Sequence, residues 1–285
     1  METHIQFKQE RDFGEIFNAI FAFIRQEYKQ LGKMLLYHVL PFLLVMGVLT
    51  VITQRAYLKS ISHSVYDQGY MGMLARMNIY TFLTAFWALL AHVVILSNVY
   101  SYITLYVNKG KGGFTLKEVW SMARSKFILA IGVTIVVGLI IAFGMVLCII
   151  PGIYLGVHLS LVFIILFYEN QGFSEAFSRC FDLVKNNFWN TLLILVVVYV
   201  VIYLISIVLS LPAIAFGVGT AITSVKTNYD MMKSSTGILI LDAFTTIITY
   251  SLYTVSYVVI AFQYFNLVEK KEKPSLEQKI ENINQ

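Results

Sequence analysis

Two hydrophobic patterns alternate along the chain. Stretches whose apolar residues recur at three- and four-residue steps lead into runs that are apolar on every side. The clearest case is 173–189 running into 192–211. Phe173, Ala176, Phe177, Cys180, Phe181, Val184 and Phe188 share one helical face, while Ser174, Glu175, Ser178, Arg179, Asp182, Lys185 and Asn186 take the other. The run that follows has the length a bilayer core requires, about 20 residues. The pattern predicts an amphipathic helix on a membrane surface feeding a helix that crosses it.

Two further copies of this arrangement are expected. In 13–31, Phe13, Ile16, Phe17, Ile20, Phe21, Ile24, Tyr28 and Leu31 share a face. Shifting this stretch by 160 residues sets Phe13 on Phe173, Glu15 on Glu175, Phe17 on Phe177, Phe21 on Phe181, Arg25 on Lys185 and Tyr28 on Phe188. The shared acid in the first turn and base near the end suit the helix dipole in both copies. The third copy, 115–126, opens on Thr115-Leu116-Lys117-Glu118, a capping box, and places Leu116, Val119, Trp120, Ala123 and Phe127 together.

The predicted architecture is all-α: a polytopic membrane protein with a pseudo-threefold internal repeat. Six spans are expected at 34–53, 79–107, 127–150, 153–168, 191–216 and 238–267, with interfacial helices at 13–31, 115–126 and 173–188. Residues 1–268 then form a single membrane domain, with loops at 54–77 and 217–236 and a charged tail at 269–285. No cleavable signal is expected, because the first stretch is polar and then amphipathic. Pro41 inside the first span predicts a kink, and Pro212 lies near the far end of the fifth. Pro151-Gly152 predicts a tight hairpin between the third and fourth spans. Gly152, Gly156 and Ser160 form a small-residue stripe that admits a neighbouring helix.

Composition agrees. The chain is 58% hydrophobic and 13% charged, with mean hydropathy +0.72, where soluble domains carry about 25% charge. The net charge of +5 implies anionic lipid rather than nucleic acid. With the N-terminus cytoplasmic, sixteen of the lysines and arginines fall inside and five outside. Both termini and the three interfacial helices are therefore expected on the cytoplasmic side.

Candidate chemistry is sparse. In the sixth span Asp242, Thr249, Ser256 and Gln263 are spaced by seven, with Thr245, Thr246 and Tyr253 on nearly the same face. His92 shares a face with Thr81, Thr84 and Ala88 on the second span. Polar groups in a span must face protein or water. This face reads as a candidate polar groove (Asp242, Thr245, Thr249, Ser256, Gln263, His92) or as hydrogen bonding that holds the bundle together. His38, His92 and His158 lie on three different spans without metal-binding spacing. Cys148 and Cys180 read as packing residues. No phosphate-binding loop, zinc-protease motif or nucleophile elbow occurs. No catalytic, cofactor-binding or metal-ligating residue is assigned. Phe17, Phe21, Trp120, Phe177, Phe181 and Lys185 are candidates for docking at the interface.

Phe173-Ser174-Glu175-Ala176-Phe177, the later Asn187-Phe188-Trp189, and the preceding hairpin Ile150-Pro151-Gly152-Ile153-Tyr154-Leu155 carry a resemblance. From about 11 to 268 the chain resembles the membrane domain attached to some bacterial glycerophosphoryl diester phosphodiesterases, and related six-helix bacterial membrane proteins that lack the enzyme. The soluble barrel and its metal-binding acids have no counterpart, so the resemblance implies a bacterial inner-membrane location and no phosphodiesterase activity. The expected function is a non-enzymatic scaffold or accessory subunit of a membrane assembly, with lipids and a membrane or cytoplasmic protein as partners. The alternative is a transporter or lipid-handling carrier that uses the polar face of the sixth span.

Overall fold

The computed structural model describes residues 5–63, 79–227 and 231–273, without the side chains of 57–63, 79–80, 217–227 and 231–235. Among the described residues the protein is all-helical, 88% helix, with no strand. Its helices are α1 (Phe13–Met34), a π-helical turn (Leu35–Val39), α2 (Leu40–His63), α3 (Ile79–Lys109), α4 (Leu116–Ser125), α5 (Phe127–Leu147), α6 (Ile149–Leu159), α7 (Val162–Tyr168), α8 (Phe173–Val184), α9 (Phe188–Thr227) and α10 (Met231–Glu272). Six helical stretches are long and apolar enough to cross a membrane: Phe13–Ala56, Thr81–Lys109, Phe127–Leu147, Ile149–Tyr168, Phe188–Phe216 and Thr236–Glu272. This is the makeup of a multi-pass membrane protein. Large apolar side chains such as Leu139, Phe143, Tyr203 and Val208 are exposed, as lipid-facing side chains must be.

Several boundaries differ from those the sequence suggests, each for a local reason. α1 passes through the π turn into α2 without a break. Pro41 lacks an N–H, so a carbonyl one turn earlier loses its ordinary donor; the π turn lies immediately before it, where backbone bonding is redistributed. Residues 54–63, expected as loop, continue α2, and 217–227 and 231–236 continue α9 and α10. The rest of the first loop (64–77) and the tail from 274 lie outside the described residues.

The hairpin after α5 turns at Cys148, whose backbone is extended (φ −170°, ψ 147°), and not at Pro151-Gly152. Pro151 instead sits in the first turn of α6, where its missing N–H has no helical partner to lose. Gly152 supplies the close approach: a Cβ there would lie 2.5 Å from Met145 Cγ and 2.8 Å from the Met145 amide nitrogen. A Cβ on Gly156 would meet nothing within 4 Å.

The chain divides into two compact units. The first comprises Met1–His38, Val93–Val200 and Tyr253–Gln285. At its centre is α3, in which every residue from 93 to 106 is buried. Protein surrounds this stretch on every side, its polar Ser97, Asn98, Ser101 and Thr104 included. α1, α4 and α8 share one start device, in which a glutamate at the third helical position accepts the N–H of the cap residue. Asp12 N donates to Glu15 Oε2 (2.9 Å), Thr115 N to Glu118 Oε1 (3.2 Å) and Gly172 N to Glu175 Oε2 (3.1 Å). Lys126 Nζ reaches the last carbonyls of α7, donating to Leu166 O (2.7 Å) and Phe167 O (3.3 Å).

The second unit comprises Val39–His92 and Val201–Leu252. Gly47 packs against α10, where an added Cβ would lie 3.1 Å from Ile247 Cδ1. Trp87 Nε1 donates to Phe42 O (2.7 Å) and Thr53 Oγ1 bonds Thr84 Oγ1 (2.6 Å).

Candidate functional site

The α1 face turned into the first unit carries Ile16, Ile20, Phe23, Glu27, Leu31 and Met34 at steps of four and three. Five of these are apolar and one is an acid. Glu27 is 3% exposed. Its Oε2 accepts the Tyr102 hydroxyl at 2.5 Å, and its Oε1 has no hydrogen-bond partner. Tyr106, one turn along α3, lies within electrostatic reach of the same carboxylate. Leaving a buried polar atom unmatched costs about 1–3 kcal/mol. A single acid placed where the surrounding pattern calls for an apolar side chain is the arrangement expected of a site.

The buried polar side chains of α3 divide by face. Asn98 Oδ1 bonds His38 Nδ1 (2.8 Å) and its amide donates to Val94 O (2.8 Å). His38 stands in the π turn with its ring 5.1 Å from that of Trp120. Ser97, Ser101 and Thr104 share another face of α3 and are fully or almost fully buried. At the end of α10, Gln263 Nε2 donates to Thr191 Oγ1 (2.9 Å), and Asn266 Oδ1 accepts the Arg11 amide (2.8 Å).

A second cluster joins the ends of α7, α8 and α10. Arg179 Nε donates to Glu169 Oε1 (3.2 Å), its Nη1 pairs with Glu272, and the Tyr264 hydroxyl donates to Glu169 (2.6 Å). The Glu272 hydrogen bond raises the Arg179 pKa, keeping the guanidinium charged. Lys271 pairs with Asp182 and holds its carboxyl below the usual range. Burial, aided by Glu169, pushes the neighbouring Cys180 thiol well above its ordinary value.

The candidate groove residues fall in both units. Asp242 accepts from Gln54 Nε2, Thr249 Oγ1 donates to Ser206 Oγ (3.4 Å), and Thr245 Oγ1 donates to Leu241 O (2.9 Å), all in the second unit with His92. Ser256 and Gln263 belong to the first unit, where Ser256 Oγ donates to Tyr253 O (2.8 Å). His158 is buried in the first unit, its ring 4.6 Å from Phe181, 5.7 Å from Phe188 and 4.2 Å from Tyr154. Among the described residues no three His, Cys, Asp or Glu side chains group to hold a metal ion.

The candidate docking residues are also divided. Phe21 is 69% exposed and Lys185 is exposed. Trp120 and Phe181 are half-buried against His38 and His158. Phe17 and Phe177 are half-buried beside Phe13 and Phe181. Glu27, Tyr102, Tyr106 and Phe7 were not singled out from the sequence. The legible signal for Glu27 was its register, seven after Ile20 and four before Leu31, within an apolar stripe.

No family model matches the chain, and no curated protein and no solved structure matches it.

Proposed function

We infer that the protein is a non-enzymatic scaffold or accessory subunit of a membrane assembly, in a bacterial cytoplasmic membrane with both termini inside. α1, α4 and α8 act as its amphipathic interfacial helices, one in each of three repeats of surface helix, span, outer loop and span. The observation that carries this reading is that α1, α4 and α8 each turn a mostly apolar stripe inward and leave polar and cationic residues exposed on the other face. α4 and α8 are each followed by a helix of spanning length, and α1 opens the continuous helical stretch Phe13–Ala56. Exposed Lys29, Lys33, Lys117, Arg124 and Lys185 supply cations for an anionic headgroup layer. The bacterial location rests on the resemblance to the phosphodiesterase-linked membrane domains.

A carrier using the polar face of α10 is the weaker reading. Asp242, Thr245, Thr249, Ser256 and Gln263 already bond neighbouring side chains or carbonyls of their own helix. Crosslinking and mass spectrometry of the tagged protein in its own membranes tests the scaffold. The expected result is one recurrent protein linked through Lys29, Lys117 or Lys185. Self-links and lipid adducts alone contradict it.

A further inference from the structure

Residues 5–12 run ahead of α1 without helix, and one of their side chains is driven into the first unit. Phe7 is 3% exposed. It stacks on Phe262 at 4.2 Å between centroids and meets Phe23, Phe265 and Tyr106 edge-on at 5.1, 5.4 and 5.7 Å. Arg11 fastens this strap. Its amide donates to Asn266 Oδ1 (2.8 Å), its guanidinium donates to Phe7 O (3.2 Å), and its charge lies over the Phe262 ring at 5.7 Å. Phe7 therefore fills a four-ring box, and one cation already sits against a wall of it.

The box adjoins the buried acid. Phe23, one wall, is one turn before Glu27 on the same face of α1, and Tyr106, another wall, lies within reach of its charge. Glu27 Oε1 has no donor. Aromatic rings and a carboxylate oxygen together favour a cation with an apolar body. A calcium ion requires six or more oxygens, which one carboxylate and two phenols do not supply.

We propose that this box is a binding site for an ammonium group borne on an apolar body, with Glu27 and the surrounding rings receiving the ammonium and Phe7 serving as a plug supplied by the chain itself. Ligand and plug compete, so apparent affinity is set by the fraction of molecules with the box open. The same chemistry is offered by an ethanolamine lipid headgroup and by a soluble aromatic amine.

The test uses the full chain in detergent, with benzylammonium as probe and benzyl alcohol as its uncharged control, read by titration calorimetry. Phe7→Ala is expected to bind the probe about tenfold more tightly than the unsubstituted protein. Glu27→Gln, which keeps the shape and the Tyr102 contact, is expected to weaken binding about tenfold, and so is Glu27→Gln introduced into Phe7→Ala. Phe7→Trp, a larger plug that keeps the strap seated, is expected to weaken it without altering elution as a single species. Native mass spectrometry separates the two sources. Phosphatidylethanolamine retained by Phe7→Ala and lost with Glu27→Gln identifies a lipid headgroup; binding of the probe without retained lipid identifies a soluble cation. Equal affinity of Phe7→Ala and the unsubstituted protein, undiminished binding by Glu27→Gln, or equal binding of benzyl alcohol overturns the proposal.

Discussion

Gly152 and Gly156 sit one turn apart on α6, in the same small-residue stripe, and their tolerances are opposite. Gly152 brings α6 against Met145 of α5 so closely that a methyl group would strike backbone, while Gly156 faces open space. Gly152→Ala is expected to cost about 1–3 kcal/mol, the range for overpacking. Gly156→Ala is expected to leave stability unchanged or raise it by up to about 1 kcal/mol, because alanine is the better helix former. Thermal midpoints of the two variants in one detergent check this. Cys180 is fully buried with its thiol pKa pushed up, so it stays neutral at any ordinary pH. In a Cys148→Ser background, N-ethylmaleimide at pH 8 should leave the folded protein unmodified by intact mass and label it once denatured. Labelling of the folded protein would mean that α8 opens readily.

At the scale of elements, α8 is tied to the end of α10 by two links of different quality. Arg179 is mostly buried and serves Glu169 and Glu272, whereas Lys271 and Asp182 are exposed. Arg179→Gln should cost about 1.5–3 kcal/mol, in line with charged hydrogen bonds. Lys271→Gln should cost less than about 1 kcal/mol. The pH dependence has a definite sign. Lys271 depresses the folded pKa of Asp182, so its contribution is present above the usual carboxylate range and disappears as pH falls through the lower folded value. Melts of Lys271→Gln and the unsubstituted protein should differ at neutral pH and converge in acid.

The spans could be read from the sequence because bilayer thickness imposes their length, and a run such as 192–211 has no other economical fold. The faces of the shorter helices were less legible. On α1 the periodicity rule gathered Phe21 and Tyr28 with Ile16 and Ile20, yet the former pair is exposed and the inward stripe runs through Phe23 and Glu27. A rule that sends every polar residue outward cannot find an acid that faces in. The Cys148 turn was hidden for a related reason. Proline and glycine mark turns in general, but here they serve the first turn and the close packing of α6.

At the scale of the whole molecule, the proposed scaffold requires α1, α4 and α8 to lie at one face of the membrane with both termini. Sixteen cationic residues on that side against five on the other motivate it. The direct measurement is side-specific labelling in a cysteine-free background. Single cysteines replace Arg25, Ser121 and Ser178, on the three helices, and Asp67, in the stretch between the first two spans. A membrane-impermeant maleimide is applied to right-side-out and to inverted vesicles. Arg25→Cys, Ser121→Cys and Ser178→Cys are expected to label only in inverted vesicles and Asp67→Cys only in right-side-out ones. Labelling of any two of the three helices from opposite sides would contradict the threefold plan and, with it, the interfacial scaffold.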